Sequence, residues 1–367
     1  MKQASKKPKI LFLLYSGLGG HANVIFNLID AGLSDKLEVE LLFYGIENII
    51  SEYKEKCNQS GITYAYIKKR QGLDFGFYFK IINYISKSSS KIVFLNGSYL
   101  VGPALVAKIK TKFQIIVRET QANHLKSRIE KVSSVLSLKY ADYTVYLTEE
   151  YAGQSREKHS KLYKPEKVRI ISNGLKVQKT NNTIPLNNSE SRTFTLGMVS
   201  RIVPIKDHFT LLIAVSRLKN IDYKLVIAGD GSNLLKLKRA VDNLGIQANV
   251  EFVGAITQEQ ITKLLLSLDV YVHATLGETM STSIMQAMAA GLPIIASDVD
   301  GVNNMIVQNE TGFLVPPKEP EAMAQAILKL HRHPMDCKRM GDNAFKYAKA
   351  NLSREVMLDK YLKILSI

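Results

Sequence analysis

The sequence predicts an α/β protein made of two successive doubly wound halves. Three observations carry that expectation. Short apolar runs of strand length recur along the whole chain, each followed by a loop and a helical pattern. Glycine-rich or polar loops stand directly after several of these runs, at 17–20, 229–232 and 275–279. A polar stretch, 176–192, breaks the alternation near the middle and is the best linker in the chain. At 367 residues two domains are expected, because single cores rarely grow that large. Their bounds read as 1–175 and 176–353.

Residues 9–14 are continuously apolar and read as a first buried strand. The run is too short for the apolar core and cleavage site of a secretion signal, and Gly17-Leu18-Gly19-Gly20-His21 follows it directly. Those glycines can turn the chain sharply or let its backbone approach a ligand. They do not make the dinucleotide fingerprint, whose sixth position is Ala22 here. A helical pattern follows through Val24, Ile25, Leu28 and Ile29. Residues 39–43 and 63–67 read as strands, 77–85 as a helix, and 91–97 and 114–120 as strands. Arg118 and Glu119 sit at the C-terminal end of the last of these, with His124 just beyond. Ligands of open α/β sheets gather outside such ends, although a lone His is also often structural. Residues 125–141 read as an amphipathic helix with a basic polar face, and 143–147 and 168–171 as strands.

Beyond the linker, 194–199 is a strand, 209–218 an apolar-periodic helix, 224–228 a strand, then a helix runs to Leu244, and 250–253 is a strand ending at Gly254. Residues 269–274, 280–290 and 293–298 read as strand, helix and strand, one βαβ unit whose parallel strands need the crossover helix. The start of that helix, at Met280, Ser281 and Thr282, offers amides without intrahelical partners and the positive end of the dipole, a ready phosphate site. Glu278 stands on the loop at its mouth. Further helices run to the C-terminus.

Three strand ends therefore bring Arg201 with Lys206, Gly229-Asp230-Gly231-Ser232, and Glu278 to one crevice. Two cations and free helix amides suit a diphosphate and would stabilise it as it leaves, where negative charge grows in a glycosyl transfer. The plainer reading of Arg201 and Lys206 is a surface ion pair with Asp207 or Glu278. No Asp-x-Asp or His cluster offers a metal site, so neither metal nor cofactor is expected.

The charge is uneven. Residues 1–175 hold 27 Lys and Arg against 15 Asp and Glu, a net of +12, whereas 176–367 hold 22 against 18, a net of +4. The excess in the first half is either a solvated surface or an attraction to anions, and an anionic membrane surface is the expected partner. No nucleic-acid partner is expected, because no zinc-finger spacing, basic zipper or aromatic RNA-binding pattern is present. No apolar run reaches the roughly 18 residues of a membrane span. Cys57 and Cys337 are far apart in sequence and fit a reducing cytoplasm.

The series Gly197, Arg201, Lys206, Gly229-Asp230-Gly231, Val253-Gly254 and Gly277-Glu278, with Gln286 eight residues after the Glu and then Ala287 to Pro293, resembles the retaining GT-B glycosyltransferases of family four. Ser172-Asn173-Gly174 resembles that family's inter-domain junction, and Gly19-Gly20 its amino-terminal glycine loop. The resemblance covers nearly the whole chain. It implies two Rossmann-like domains facing each other across a cleft, with a nucleotide-sugar, a UDP-sugar by expectation, in the second. It implies a glycan acceptor, expected to be lipid-linked, against the first, and a last helix, about 354–367, that returns to the first. By the same resemblance Arg201 and Lys206 hold the donor diphosphate, and Glu278 lies beside the transferred sugar. Met280, Ser281 and Thr282 lie near sugar and phosphate, Gly229 and Asp230 join the donor loop, and Val253 and Gly254 border the base. His124 is a catalytic candidate, and Arg118 and Glu119 are acceptor-side candidates. One departure stands out: where the family usually has a second Glu gripping the ribose, this chain has Gln286, which accepts a hydrogen bond without charge assistance. The implied activity is retaining, metal-independent sugar transfer in capsule or lipopolysaccharide assembly, in the cytoplasm or peripherally at the inner membrane. A catalytically silent sugar-nucleotide-binding protein and a nucleotide-sugar epimerase remain as alternatives.

Overall fold

The computed structural model describes residues 7–17, 20–121, 123, 126–177 and 193–365. Gly19, His124 and most of the 176–192 stretch therefore lie outside the described residues. The chain divides into two units, Met1–Gly174 with Arg354–Ile367, and Leu175–Ser353.

The first unit alternates strands and helices in chain order. It runs β1 (Lys9–Tyr15), α1 (Gly20–Asp30), α2 (Leu33–Lys36), β2 (Glu38–Gly45), α3 (Ser51–Gln59), β3 (Thr63–Lys68), α4 (Phe75–Lys87) and β4 (Ile92–Asn96). It continues with α5 (Val101–Lys110), β5 (Gln114–Arg118), α6 (Arg128–Tyr140), β6 (Tyr143–Tyr146), α7 (Glu149–Lys158) and β7 (Val168–Ile170). The strands form one parallel sheet in the order β3-β2-β1-β4-β5-β6-β7. Helices cover both faces, which is why the strands read as continuous apolar runs. Successive side chains of β1 show the division: Ile10, Phe12 and Leu14 enter one core with α1 and α3, and Leu11 and Leu13 enter the other with α4 and α5. Two caps fix the helices that flank the second face. Asp74 accepts from the Phe77 amide at 2.9 Å to start α4, and Ser127 with Glu130 forms a capping box at the start of α6. That box sets the helix expected from 125 to begin at Arg128.

The second unit runs β8 (Phe194–Val199), α8 (His208–Ser216), β9 (Tyr223–Ala228), α9 (Leu234–Leu244), β10 (Val250–Gly254), α10 (Gln258–Leu266), β11 (Val270–His273) and α11 (Thr282–Ala289). Then come β12 (Ile294–Ser297), β13 (Gly312–Val315), α12 (Pro320–Arg332) and α13 (Pro334–Asn351). A final helix, α14 (Arg354–Leu365), puts Met357, Leu358 and Tyr361 into the first unit's core beside α1. Each such buried side chain contributes roughly 1.5–3 kcal/mol. The six strands are parallel in the order β10-β9-β8-β11-β12-β13. The chain thus builds outward from β8 to β10, then crosses to the other side of β8 to lay down β11. The two directions part at the C-terminal ends of β8 and β11, the switch point at which ligands of such sheets bind. Among the described residues no helix is long and apolar enough to cross a membrane.

Candidate active site

The loops that follow β8, β9, β11 and β12 are bound to one another at this switch point. The Ser200 amide donates to Ala228 O at 3.0 Å and the Ile202 amide to Asp230 O at 2.8 Å. Leu276 donates its amide to Ile205 O at 2.8 Å, and the Thr275 hydroxyl donates to the same carbonyl at 3.1 Å. Gly229 is required by this closeness: its φ is +139°, and a Cβ there would meet Ser200 O at 1.8 Å. Gly301 is held likewise, since a Cβ would meet Glu278 O at 2.3 Å, and the Glu278 amide donates to Asp300 O at 3.3 Å.

This scaffold brings Lys206 and Glu278 into direct contact, Lys206 Nζ on Glu278 Oε1. Both side chains are largely buried. The pairing is the plainer alternative of the sequence reading, but its place is the switch point rather than open surface. Burial, then the Arg201 cation, pull the Lys206 ammonium down to about 7. Arg201 itself is exposed at the same loop. Asp207 is engaged elsewhere: it caps α8, accepting from the Thr210 hydroxyl at 2.6 Å.

His273, the last residue of β11, was not singled out by the sequence. It is fully buried and its Nε2 lies 3.0 Å from Glu278 Oε1. Burial, reinforced by the charge of Lys206 and by His208, keeps its pKa well below the usual value, so the ring is neutral. A carboxylate only accepts, so Nε2 carries the proton and Nδ1, 3.3 Å from the Tyr271 hydroxyl, is the bare nitrogen. His208 is buried nearby, with Nδ1 on Lys206 O and Nε2 3.1 Å from Ser200 Oγ. A His closing an otherwise apolar strand was the available signal for His273.

The helix expected from 280 starts at Thr282, because Ser281 is its N-cap, accepting from the Ile284 amide at 3.5 Å. The Ser281 hydroxyl also lies 3.1 Å from that of Ser283. Met280 is buried and Thr282 exposed. Gln286 donates from Nε2 to Gln258 Oε1 at 2.9 Å, which ties α11 to the first turn of α10. Asp230 is exposed and accepts from the Gly231 amide at 2.7 Å. Val253 and Gly254 close β10, and Gly254 O accepts from the Gly229 amide at 2.7 Å. Among the described residues no group of three His, Cys, Asp or Glu side chains is placed to hold a metal ion.

In the first unit, a cavity of about 430 Å³ opens at the C-terminal ends of β1, β2, β4 and β5. Tyr15, Tyr44 and Tyr99 give it aromatic walls, and Glu119, Lys126 and Glu130 give it charge. Glu119 is buried, with Oε2 2.8 Å from Lys126 Nζ, while its Oε1 has no hydrogen-bond partner among the described residues. A buried carboxylate oxygen without a donor invites one from a ligand. Arg118 does not line this cavity. It is buried and donates to Asn96 Oδ1 at 2.7 Å and to Asn173 Oδ1, so it fastens the ends of β4 and β5 to the 172–174 turn. Gly20 is the first residue of α1.

Residues 180–347 match the family Glycosyl transferases group 1. A D-rhamnosyltransferase of Pseudomonas aeruginosa is 34% identical over 137 residues, 36% of this chain and 36% of that protein. A GDP-mannose-dependent alpha-mannosyltransferase of Mycobacterium tuberculosis is 31% identical over 151 residues, 39% of this chain and 37% of that protein. A lipopolysaccharide core biosynthesis glycosyltransferase of Rhizobium meliloti is 27% identical over 168 residues, 46% of this chain and 48% of that one. The chain therefore spans about a third to a half of the length of these relatives. Among solved structures, Anabaena HepE in complex with UDP superposes with a TM-score of 0.83 at 17% identity, covering 98% of this chain and 99% of that one. A lipopolysaccharide outer core galactosyltransferase superposes at 0.80 and 19% over the same shares. These likenesses establish the GT-B fold, two Rossmann-like domains.

Proposed function

We propose that the chain is a retaining, metal-independent glycosyltransferase that moves a sugar from a UDP-sugar to a lipid-linked glycan in bacterial surface polysaccharide assembly. The observation that carries this is the Lys206–Glu278 contact at the switch point of the second sheet, beside Arg201. The family match over 180–347 and the UDP bound to Anabaena HepE support the donor class.

In the free protein Lys206 and Glu278 satisfy each other. A bound donor would divide them: its diphosphate takes Lys206 and Arg201, and a hydroxyl of its sugar takes the carboxylate. The acceptor hydroxyl then attacks the anomeric carbon on the face the diphosphate leaves. The bond from that carbon to the diphosphate oxygen breaks, and the new glycosidic bond forms with retained configuration. A donor phosphate oxygen takes the hydroxyl proton, and the nucleoside diphosphate departs with its growing charge against Arg201 and Lys206. Glu278, held by His273, faces the positive charge that develops on the sugar. In the first unit, Glu119 Oε1, which has no partner among the described residues, would accept from a hydroxyl of the acceptor glycan, with the tyrosine walls against its ring.

The membrane reading draws on the first unit's surface. Leu73, Phe75, Phe79, Ile129 and Val132 are between 61% and 78% exposed. They stand among cations, since residues 69–140 hold 13 Lys and Arg against three Asp and Glu. Apolar side chains set among lysines suit the headgroup region of an anionic bilayer. The reading places the protein peripherally at that surface.

A thermal-shift panel of UDP, GDP, ADP and CMP with their sugars tests the donor assignment. The expected outcome is stabilisation by UDP and one or two UDP-sugars. No shift with any nucleotide at millimolar concentration would overturn it. Product analysis then separates transfer from epimerisation, and UDP binding without turnover would favour the silent binder.

A further inference from the structure

A second cavity of the first unit, about 510 Å³, lies between α6 and α7. Four cationic or titratable nitrogen groups line it: Lys126, Lys131, Lys158 and His159. Among the described residues no Asp or Glu lines it, and neither Lys131 nor Lys158 has an ion-pair partner. Lys126 is fixed at the back, buried, donating to Ser134 Oγ at 3.0 Å and paired with Glu119 at 2.8 Å. The positive potential is uncompensated enough to act on its neighbour: burial, then Lys158 and Lys126, hold the His159 ring below its ordinary pKa. The remaining lining is mixed: Asn123, Ser134, Gln154 and Ser155 are polar, and one strip is apolar. Val132 and Val135 form that strip, and Val132 is largely exposed at its outer edge. Lys126 also lines the tyrosine-walled cavity, so the two cavities share a wall.

A solvated lysine cluster explains the cations but not their gathering around a cavity with a valine strip along one side. An anion joined to an apolar chain would satisfy both features. We propose that this cavity seats the phosphate or diphosphate of an amphiphile, with the charged group between Lys131, Lys158 and His159 and the apolar chain along Val132 and Val135. The proposal rests on the reading of the acceptor as lipid-linked, and it assigns the residues that recognise the link. The sugar of the same molecule would enter the adjoining cavity, toward Glu119.

The test uses the full chain with UDP at saturation, so that the donor site is filled. Geranyl diphosphate, inorganic pyrophosphate and geraniol are titrated by calorimetry, and the His159 resonances are followed by NMR. Geranyl diphosphate is expected to bind at least about tenfold tighter than either pyrophosphate or geraniol, and to raise the pH at which His159 titrates. Lys131→Ala with Lys158→Ala, both exposed positions, should weaken it at least about tenfold and leave the UDP-induced thermal shift unchanged. Arg201→Ala should leave geranyl diphosphate binding intact. If pyrophosphate binds as tightly as geranyl diphosphate, the cavity takes free phosphate and the lipid assignment falls. If the double variant binds like the parent, or nothing binds to protein that still responds to UDP, the proposal is overturned. A protein blind to UDP that still shows the expected geranyl diphosphate pattern would overturn the donor reading and leave this site standing.

Discussion

His273 Nε2 donates to Glu278 Oε1 across 3.0 Å, so a fully buried neutral imidazole orients the carboxylate that Lys206 neutralises. The ring cannot exchange its role with Lys206, because burial and the two neighbouring basic groups keep it uncharged. It acts as a positioning residue for Glu278. His273→Phe removes the donor and keeps much of the volume. A hydrogen bond to a charged group is worth about 1.5–3 kcal/mol, so turnover should fall by about tenfold to a hundredfold. UDP affinity should hold, since the diphosphate contacts proposed for Arg201 and Lys206 are left in place. Steady-state kinetics beside a UDP titration checks this, and equal loss of both would make His273 merely structural.

Lys206 predicts a proton linkage. Its ammonium is pulled down to about 7 in the free protein. A diphosphate placed beside it would raise that value, so binding takes up a proton above neutral pH. UDP affinity should therefore fall as the pH rises from about 7 toward 9. Calorimetry in two buffers of different ionisation enthalpy measures the proton uptake directly. Lys206→Arg should abolish the dependence, because guanidinium does not titrate there. Lys206→Ala should cut turnover far more than it lowers the melting temperature.

The parts of this molecule that were legible in the sequence are those set by local pattern. Buried strands such as 9–14 and 194–199 announce themselves because both faces are covered, and Lys206 and Glu278 could be placed because each follows one. Several helices gave too little signal. α3 buries only Tyr53 and Cys57, and α7 only Tyr151, Ala152 and Ser155, so their sequences show charge rather than apolar periodicity. The partner of Gln286 was hidden for the same reason, since Gln258 belongs to α10, another weakly patterned helix. Strand order was not legible either. That β8 lies beside β11 is a tertiary fact, and it alone explains why residues 201–206 and 273–278 meet. Arg118 read as a site residue from its strand-end position, yet its hydrogen bonds to Asn96 and Asn173 come from other elements.

His208 and His273 predict acid sensitivity of the second unit. Burial draws His208 from 6.5 down to about 4, against the opposing pull of the Lys206 carbonyl, and His273 is drawn well below 6.5. Each folded-state pKa lies under its unfolded value, so between the two the unfolded chain binds more protons. Stability from these groups is complete above about 6.5 and is lost as the pH falls from there toward 4, at up to about 1.4 kcal/mol per pH unit for each. Chemical denaturation at several pH values measures the slope. His208→Gln should flatten it by about half, and an unchanged slope would remove His208 from the account.

The glycines of the second unit separate steric need from backbone freedom. Gly229 and Gly245 both have positive φ, +139° and +68°. At Gly245, which ends α9, a Cβ would meet nothing within 4 Å, so Gly245→Ala should cost only about 1 kcal/mol for the left-handed conformation. At Gly229 a Cβ would stand 1.8 Å from Ser200 O, and backbone cannot swing aside as a side chain can. The loops after β8 and β9 would have to separate, breaking the hydrogen bonds that the Ser200 and Ile202 amides donate on either side of Arg201. Gly229→Ala should therefore cost on the order of 3 kcal/mol. It should also weaken UDP binding, whereas Gly245→Ala leaves binding unchanged. Melting temperatures and UDP titrations of the two variants side by side check both halves of this expectation. Equal effects would mean that the approach of the two loops is not what Gly229 secures.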